Sequence, residues 1–298
     1  GISGSACNRS DQLNTPYGAK FDYANSLYVA DRDNHRIQKF LMGASNAITV
    51  AGNGILGSAM NQLHYPTYAI ADLNGNIRVV DTFNHRIQLW ERGATVGSTI
   101  AGTGIAGNSS NQLKEPYAIE YNITTGILYV SDYGNCRVMQ YMSGATSGTV
   151  VAGSNQCGTN TTQLNRPIGI YLDSFSNSFI IANQFANNII QWPMNASSWT
   201  LIGGDINGNL GRNSTMLSDI RDIKLDPMGN VYAADKNNYR IQLFMNGEKE
   251  GITIAGISGI SGGNATLLGS PRTIELDNQL NLYVADSAYH RVQKFMRY

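Results

Sequence analysis

The chain has little charge and no long apolar run. Asp, Glu, Lys and Arg make up only 14% of its 298 residues, and 21 basic residues balance 21 acidic ones. A nucleic-acid binder normally carries a basic footprint, so we expect no nucleic-acid partner. No apolar stretch approaches the roughly 18 residues that a transmembrane helix needs, so we also predict no membrane span.

The sequence also lacks the motifs of the common catalytic and cofactor sites. It contains no G-x-S-x-G, no P-loop, no H-E-x-x-H and no C-x-x-C pattern. Only four histidines occur, and three of them, His35, His85 and His290, hold one repeated position. We therefore predict no catalytic residues, no metal site and no cofactor.

What the chain does have is a repeat. A segment of fourteen residues, first seen as LYVADRDNHRIQKF, occurs six times with drift, at intervals of 50 to 52 residues. A fixed period near this length, with strand-like content, predicts a propeller or another repeat array. We interpret residues 1–298 as one domain. The six segments span residues 27–40, 77–90, 128–141, 179–192, 231–244 and 282–295.

Each period predicts four short strands, which we call a to d. Strand a begins near a proline, strands b and c are the halves of the repeated segment, and strand d has the form ITVAG. Four antiparallel strands in six units predict an all-β fold, a six-bladed β-propeller. Two positions of strand a should form the core between blades: Ala19, Ala69, Ile119, Ile170, Ile223 and Ile274, then Phe21, Ala71, Tyr121, Leu172, Leu225 and Leu276.

The strings VADxxNHRIQ and TVAGxGxxG, with a proline opening strand a, resemble NHL repeats. Asn34–Ile37 and Asn84–Ile87 correspond to the Asn-His-Leu of the family name. The fourth unit departs most, because Asn183 replaces the repeated Asp and Asn187–Asn188 replaces His-Arg. The resemblance implies the propeller fold. It does not imply one function, since the family includes protein-binding platforms, RNA-binding domains, extracellular sensors and a peptide-amidating lyase.

The sixth unit lacks an outer strand of its own. Strands a, b and c occur six times but strand d only five times, and Gly1–Gly4 aligns with Gly256–Gly259, just after the fifth strand d. Gly1 rather than Met at the start indicates a processed, excised or partial chain. We consider two explanations for the incomplete blade. Either residues are missing from it, or its open edge pairs with another chain or a flanking segment.

An Asp and an Arg recur five residues apart around the b–c turn. The carboxylate can accept hydrogen bonds from turn amides and from the arginine, so we interpret the pairs as structural turn locks rather than catalytic groups. The histidines of the same motif are expected to act within their own blades. The pairs are Asp31 with Arg36, Asp81 with Arg86, Asp132 with Arg137, Asp235 with Arg240, and Asp286 with Arg291.

Strand a should line the central channel. No strand a contains a histidine, which argues against the channel metal that the family's amidating lyases hold with histidines. One channel position offers two acids and two bases, which could bind a zwitterion or an ion, or could neutralise each other. This candidate channel ring consists of Lys20, Glu120, Tyr171, Lys224 and Glu275, with Ile70 at the remaining place.

The face that carries the d–a loops and b–c turns is the usual partner face of propellers. Aromatic and arginine side chains concentrate there, as they do in binding hot spots, although many could merely cover blade edges. The candidate partner face comprises Tyr17, Tyr65, Phe83, Tyr117, Tyr133, Arg166, Phe185, Arg221, Arg272 and Tyr289.

Three cysteines and seven glycosylation motifs point to an oxidising compartment. Cys136 begins a strand c and Cys157 follows the next strand d, so a disulfide between them is geometrically possible. Cys7 would then be free or linked to another chain. The seven N-x-S/T motifs are a modest excess over the roughly four or five that this composition gives by chance. The candidate glycosylation sites are Asn8, Asn108, Asn122, Asn160, Asn195, Asn213 and Asn264.

These patterns favour a secreted, non-enzymatic binding or assembly module. We expect protein partners, among them other copies of the chain in oligomers or filaments, and N-linked glycans. One alternative is an enzyme with a channel metal, similar to the amidating lyases or to lactonase-like propellers. The other is an intracellular scaffold that binds protein or RNA.

Overall fold

The computed structural model describes residues 6–297, so the predicted alignment of Gly1–Gly4 lies outside the described residues. Twenty-three strands lie within that range. In chain order they are β1 Pro16–Phe21, β2 Leu27–Asp31, β3 Arg36–Phe40, β4 Ala47–Ala51, β5 Tyr68–Ala71, β6 Ile77–Asp81, β7 Arg86–Trp90, β8 Ser98–Ala101, β9 Ile119–Asn122, β10 Ile127–Asp132, β11 Arg137–Tyr141, β12 Thr149–Gly153, β13 Pro167–Asp173, β14 Ser178–Asn183, β15 Asn188–Pro193, β16 Thr200–Gly204, β17 Ile220–Leu225, β18 Val231–Asp235, β19 Arg240–Phe244, β20 Gly251–Gly256, β21 Pro271–Leu276, β22 Leu282–Asp286 and β23 Arg291–Phe295.

The strands form six antiparallel sheets, which are the blades of a six-bladed β-propeller. Blade one has the order β1-β2-β3-β4, and the next four blades repeat it. The first strands of neighbouring blades contact each other, which places strand a at the axis and strand d at the circumference. The sixth blade has three strands, β21, β22 and β23, so the prediction of a blade without its own outer strand is confirmed for the described residues.

A side-chain turn closes most a–b hairpins. In blade two, Asp72 Oδ1 accepts the amides of Asn74 and Asn76 at 3.0 and 2.9 Å, and Gly75 adopts a φ of 81°. An Asx turn of this kind replaces backbone hydrogen bonds that a short hairpin cannot make, and glycine tolerates the left-handed conformation. Equivalent turns occur at Asp22, Asp226 and Asp277.

The core lies between the blades. All six residues of the first predicted core position on strand a are at most 3% exposed. The second predicted position is buried in blades two and six. In the other four blades it is half-buried, and in three of them the residue still packs against the core, so the prediction was only partly correct. Those residues lie next to the a–b hairpins, where strand a reaches the rim of the sheet and a half-covered side chain is tolerated. The four are Phe21, Tyr121, Leu172 and Leu225.

A three-residue 3-10 turn joins strand b to strand c, and the residue after it bridges to the next blade. His35, His85 and His290 occupy this place with φ near 51°, and their Nδ1 atoms accept amides of Tyr65, Glu115 and Thr15 at 3.4, 3.1 and 3.0 Å. The expectation that the histidines act within their own blades was therefore wrong. The His290 contact closes the ring from blade six to blade one. The turns are Arg32–Asn34, Thr82–Asn84, Tyr133–Asn135, Gln184–Ala186, Lys236–Asn238 and Ser287–Tyr289.

Candidate functional site at the loop face and channel mouth

A buried carboxylate clamp positions the loops of this face. In blade two, Asp81 Oδ1 accepts the amide of His64 at 2.7 Å, and Oδ2 accepts Arg86 Nε at 2.8 Å. Arg86 also donates to the carbonyls of Ala59 and Gln62, in the loop that enters strand a. The clamp thereby joins this loop to the b–c turn. The same carboxylate–arginine contact recurs at Asp31, Asp132, Asp235 and Asp286.

Blade four has no such clamp. Asn183 Oδ1 accepts the amide of Asn165, but among the described residues Asn183 Nδ2 and Asn188 Oδ1 are buried without a hydrogen-bond partner. The carbonyl of Gln163 stands where that of Gln62 stands in blade two. It accepts the indole Nε1 of Trp199 at 2.9 Å instead of an arginine. The loop is therefore held by different groups.

The predicted disulfide lies beside this loop. Cys136 and Cys157 are bonded, with their Cα atoms 5.2 Å apart, an ordinary separation for a disulfide. The bond links the b–c turn of blade three to the loop that enters blade four. Cys7 has a free thiol and is half-buried.

Three sets of equivalent residues surround the channel mouth. The inner set lies at the start of strand a, the middle set two residues earlier, and the outer set at the first residue of each 3-10 turn. Five members of the middle set have positive φ, which turns the chain sharply into strand a. The inner set is Tyr17, Thr67, Tyr117, Ile168, Arg221 and Arg272, the middle set Thr15, Tyr65, Glu115, Arg166, Asp219 and Ser270, and the outer set Arg32, Thr82, Tyr133, Gln184, Lys236 and Ser287.

Arginines and tyrosines of these sets stack on one another. The Arg32 guanidinium lies over the rings of Tyr17 and Tyr65, with Cζ 4.8 and 4.3 Å from the centroids. Arg272 lies over Tyr17 at 4.5 Å, and Arg166 over the Tyr133 ring. Cation–π contacts of this kind hold both partners in fixed orientations, because the ring face is negative and the guanidinium planar.

Ring–ring contacts and the Arg32 stack together form a continuous series across the face, because Arg32 bridges Tyr65 and Tyr17. Phe83 contacts Tyr65 at 5.6 Å between ring centroids, Tyr17 contacts Tyr117 at 6.1 Å, and Tyr117 contacts Tyr133 at 4.9 Å. Phe185 ends the series at 6.5 Å from Tyr133. We call this series the aromatic–arginine belt. It comprises Phe83, Tyr65, Arg32, Tyr17, Arg272, Tyr117, Tyr133, Arg166 and Phe185.

The two ends of the belt are exposed, whereas its middle is packed. Phe83 is 40% exposed and Phe185 57%, but Tyr17 is 9% exposed. Of the predicted partner face, Arg221 and Tyr289 lie outside the belt. Arg221 pairs with Asp219, and the Tyr289 ring packs against Gly263 and Gly269. The structure therefore brings most of the predicted face together and assigns Tyr289 to covering blade six.

The charges of the face are only partly compensated. Asp219 pairs with Arg221 and Lys236, each at 2.7 Å. Within residues 6–297 no carboxylate lies within 4 Å of a charged nitrogen of Arg272 or Arg166. Burial, together with the neighbouring Arg221, lowers the pKa of Arg272 below its ordinary value. The mouth of the channel is thus locally basic in a chain of zero net charge.

A small cavity of about 20 Å³ lies under the inner set. This is room for about one water molecule. Asp222 lines it, is 5% exposed, and accepts the amide of Ile274 at 3.1 Å. Burial raises the pKa of Asp222 to about 7. The carboxyl therefore changes its charge near neutral pH.

Further along the channel, the predicted ring residues form ion pairs across the axis. Lys20 Nζ lies 3.7 Å from Glu120 and 3.4 Å from Glu275, and Lys224 Nζ lies 2.7 Å from Glu275. Burial alone would lower the pKa of Lys20, but the two glutamates raise it well above its ordinary value. Tyr171 lies beside this ring, and the Lys224 ammonium is 5.3 Å from its centroid.

The sequence analysis missed Asp222, Tyr68, Arg32 and Asp219. Asp222 and Tyr68 share a strand-a position with Gly18, Ala118, Gly169 and Thr273, so the buried carboxyl breaks a pattern of small residues. That irregularity was the available signal. No such signal marked Arg32 in the sequence, because its partners Tyr17 and Tyr65 come from other loops.

Two larger grooves lie near the a–b hairpins, away from the axis. One, of about 700 Å³, runs between blades one and two beside Tyr28 and Trp90. The other, of about 810 Å³, runs between blades four and five beside Tyr171 and Met228. Neither groove contains the candidate partner face.

Six of the seven glycosylation motifs present an exposed asparagine. Asn122, at the end of a strand a, is half-buried. Five motifs fall in the loops that enter strand a, and blade two is the blade whose loop has none. Their asparagines are Asn8, Asn108, Asn160, Asn213 and Asn264.

In the part of the chain that the structure describes, no group of three or more His, Cys, Asp or Glu side chains is placed to hold a metal ion. No helix among residues 6–297 is long and apolar enough to cross a membrane.

Comparisons with known proteins agree with the architecture. The NHL repeat family model matches residues 13–40, and no curated protein matches the chain. An auxiliary nutrient binding protein from Bacteroides thetaiotaomicron is 15% identical, with a TM-score of 0.71, covering 95% of this chain and 69% of its own. Virginiamycin B lyase from Staphylococcus aureus is 11% identical, with a TM-score of 0.61 and coverages of 98% and 87%. A gluconolactonase from Xanthomonas campestris is 10% identical, with a TM-score of 0.65 and coverages of 99% and 98%. At these identities the likeness shows the fold alone.

Proposed function

Because the chain is an NHL-repeat six-bladed β-propeller, we propose that it is a non-enzymatic, extracellular module that binds protein partners through its loop face and its open blade-six edge. The observation that carries the proposal is the aromatic–arginine belt. Tyrosine and arginine are enriched in binding hot spots, and aromatic residues including phenylalanine are enriched in interfaces, because they offer large contact areas.

The disulfide and the glycosylation motifs support an extracellular location. Cys136 and Cys157 form a disulfide, and disulfides persist in oxidising environments. Exposed N-x-S/T motifs ring the same face, at Asn8, Asn108, Asn160, Asn213 and Asn264. In a secreted protein these would carry glycans around the rim and would leave the mouth of the channel accessible.

The interior of the channel leaves little room for a small ligand, which favours a protein partner that binds outside it. The cavity at the mouth has room for about one water molecule. Below it, Lys20, Lys224, Glu120 and Glu275 neutralise each other. A partner would therefore be recognised by the surface of the loop face, not by insertion into the axis.

Site-specific photocrosslinking tests the loop face. Phe185 is 57% exposed at one end of the belt. A benzophenone side chain placed there should form adducts of discrete mass with a partner protein in native extracellular fluid. The control position is Phe175, which is 100% exposed on an a–b turn. Removing the stack beside Phe185 by Arg166→Ala, which uncovers Tyr133, should weaken the adduct at 185. Equal adducts at both positions, or none at 185, would refute the proposed face.

Mass and size measurements test secretion and assembly. We expect an intact mass that falls on deglycosylation, and light scattering that shows a particle larger than one chain. A bare, monomeric chain with reduced cysteines would favour the intracellular scaffold instead.

An enzyme is the second candidate, and Asp222 is the observation that favours it. Its pKa of about 7, in a cavity beside Arg221 and Arg272, suits a proton acceptor near guanidinium groups that could hold an anion. A lyase and a gluconolactonase share the fold. Hydrolysis of gluconolactone that is lost in Asp222→Asn would support this candidate. Metal analysis of the purified protein tests the version with a channel metal.

A further inference from the structure

Six equivalent residues follow the 3-10 turns, and they differ in whether they can gain a charge near neutral pH. Three are histidines, which can, and they lie at the contacts of blade six with one, one with two, and two with three. We call such a contact a seam. The others are a cysteine in a disulfide, an asparagine and a tyrosine, which cannot gain a proton there. In chain order the six are His35, His85, Cys136, Asn187, Tyr239 and His290.

Each histidine can accept its seam hydrogen bond only while it is neutral. His290 Nδ1 accepts the amide of Thr15 at 3.0 Å. His85 Nδ1 accepts the amide of Glu115 at 3.1 Å. A neutral imidazole has a single acceptor nitrogen, and a second proton must be added to that atom. Protonation therefore puts an N–H group opposite the amide N–H, and the bond between the blades is lost.

Blade four makes the same bond with an acceptor that does not titrate. Asn187 Oδ1 accepts the amide of Asp219 at 2.9 Å. Its φ is 48°, against 52° at His85, and asparagine tolerates this left-handed conformation. The fold therefore does not need a histidine at this place.

The surroundings of His35 oppose its protonation. Its ring packs against that of Tyr65, with 4.8 Å between the centroids. Burial, followed by the nearby His64 and Arg32, lowers the pKa of His35, against the opposing carboxylate of Asp33. A proton is therefore bound less readily in the closed seam than in an opened one.

Burial lowers the pKa of His85 as well. His64 acts in the same direction, whereas the carboxylates of Glu115, Asp132 and Asp81 oppose it. His64 thus lies close enough to influence the histidines of two neighbouring seams.

At His290 the neighbouring charges are already paired. The ionisable side chains on the turns that meet there are Asp286, Tyr289 and Arg291 of blade six, with Asp31, Arg32 and Asp33 of blade one. Asp286 pairs with Arg291 at 3.1 Å, Arg32 with Asp33 at 2.5 Å, and Asp31 with Arg36 at 2.7 Å. Each carboxylate near this seam therefore has an arginine as its partner before His290 gains a charge.

The three amides belong to residues that turn the chain into strand a at the channel mouth. Thr15, Tyr65 and Glu115 have φ of 52°, 51° and 49°. Tyr65 also carries the ring on which Arg32 stacks, at 4.3 Å. Loss of the histidine bonds would therefore loosen this part of the belt, whereas its other end, at Phe185, lies on blade four.

We propose that His35, His85 and His290 are acid-sensitive latches, so that mild acid loosens the three seams they hold while the other seams do not respond. The inference goes beyond the proposed function and does not rest on it. An opened histidine binds a proton with a pKa of about 6.5, whereas a latched one must first give up its hydrogen bond. The latches are therefore intact above about pH 6.5 and weaken as pH falls below that value.

Amide hydrogen exchange of the whole chain tests the latches, with electron-transfer fragmentation to resolve single residues. Protection factors, which allow for the effect of pH on chemical exchange, are compared between about pH 7 and about pH 5. Those of Thr15, Tyr65 and Glu115 should fall, by up to about tenfold per pH unit below about pH 6.5. The amide of Asp219, whose acceptor is Asn187, is the matched control and should keep its protection.

His85→Asn copies the residue of blade four and isolates one latch. The Glu115 amide should stay protected at pH 7, and its protection should no longer depend on pH. The amides of Thr15 and Tyr65 should still respond to acid, because their own histidines remain. The melting temperature at neutral pH checks that the variant is folded.

His290→Asn repeats the test at the seam that closes the ring, with the Thr15 amide as its readout. If the three latched amides respond to pH no more than the Asp219 amide does, the inference is overturned. It is overturned equally if the two variants leave the pH response of their own amides unchanged.

Discussion

Blade four and the other five blades use different groups to hold the loop that enters strand a. The loop that enters strand a leaves carbonyl groups that need donors. Elsewhere an arginine supplies them, as Arg137 does for Asn108, Ser109 and Gln112 at 2.8 to 3.1 Å. In blade four the indole of Trp199 supplies one donor, and the Cys136–Cys157 disulfide holds the loop covalently.

The difference shows that the fold requires the loop before strand a to be held in place, but that an ion pair is not the only way to hold it. Burial raises the pKa of the clamp carboxyls Asp31, Asp81, Asp132 and Asp235, despite the amide and arginine donors that lower it. The buried charges therefore carry a desolvation cost that largely offsets their attraction. A neutral pair with a covalent tether is a workable substitute.

The largest effect is expected from removing one charge of a clamp. Asp81→Asn leaves the Arg86 guanidinium buried without a counter-ion, which should lower the free energy of unfolding by about 3–5 kcal/mol. Urea denaturation measures the change. The control is the double variant Asp81→Asn/Arg86→Asn, which copies blade four and should be less destabilised. A double variant that loses as much as the single one would show that orphaned charge is not the cause.

The next effect concerns the tether of blade four. Cys136→Ser/Cys157→Ser opens a loop of sequence separation 21 and should lower the free energy of unfolding by about 3 kcal/mol. Limited proteolysis should cut first between residues 157 and 165. Cys7→Ser is the matched control and should change neither result. Cleavage first at another blade's loop would contradict the role assigned to the disulfide.

Asp222 is a buried carboxyl without an arginine clamp, and it extends the comparison with the clamp carboxyls. The pKa of Asp222 is raised to about 7, so between about pH 4 and pH 7 the folded chain keeps a proton that the unfolded chain has released. Stability should therefore fall as pH rises, by up to about 1.4 kcal/mol per pH unit in that window, and level off above pH 7. Asp222→Asn should lack this slope, so the difference between the variant and native unfolding free energies should change with pH across that window. Parallel curves would show that Asp222 titrates normally.

The smallest effect tests the indole donor. Trp199→Phe leaves the Gln163 carbonyl without its hydrogen bond and should lower the free energy of unfolding by about 1 kcal/mol. Trp90→Phe is the matched control, because the Trp90 Nε1 is buried without a partner among the described residues. Equal losses in the two variants would assign the effect to packing alone.

Much of the fold was predictable because its contacts are local. Asp81 and Arg86 lie five residues apart, and the clamp joins segments within about 30 residues. Such contacts recur with the period, so strand order, the disulfide and the short sixth blade were visible in the repeat. The roles of the histidines were not visible, since each accepts an amide of the next blade: Tyr65 bonds His35, and Thr15 bonds His290 across the ring closure.

The sequence by itself determined the number of blades, the strands within each blade and the residues at equivalent positions, because hydrophobic alternation and turn chemistry act over a few residues. Only the tertiary structure decided which equivalent residues touch. Arg32 stacks between Tyr17 and Tyr65, and Asp222 enters a cavity with Arg272, because ring closure brings different blades to one axis. Those contacts depend on the packing between blades, which no single period encodes.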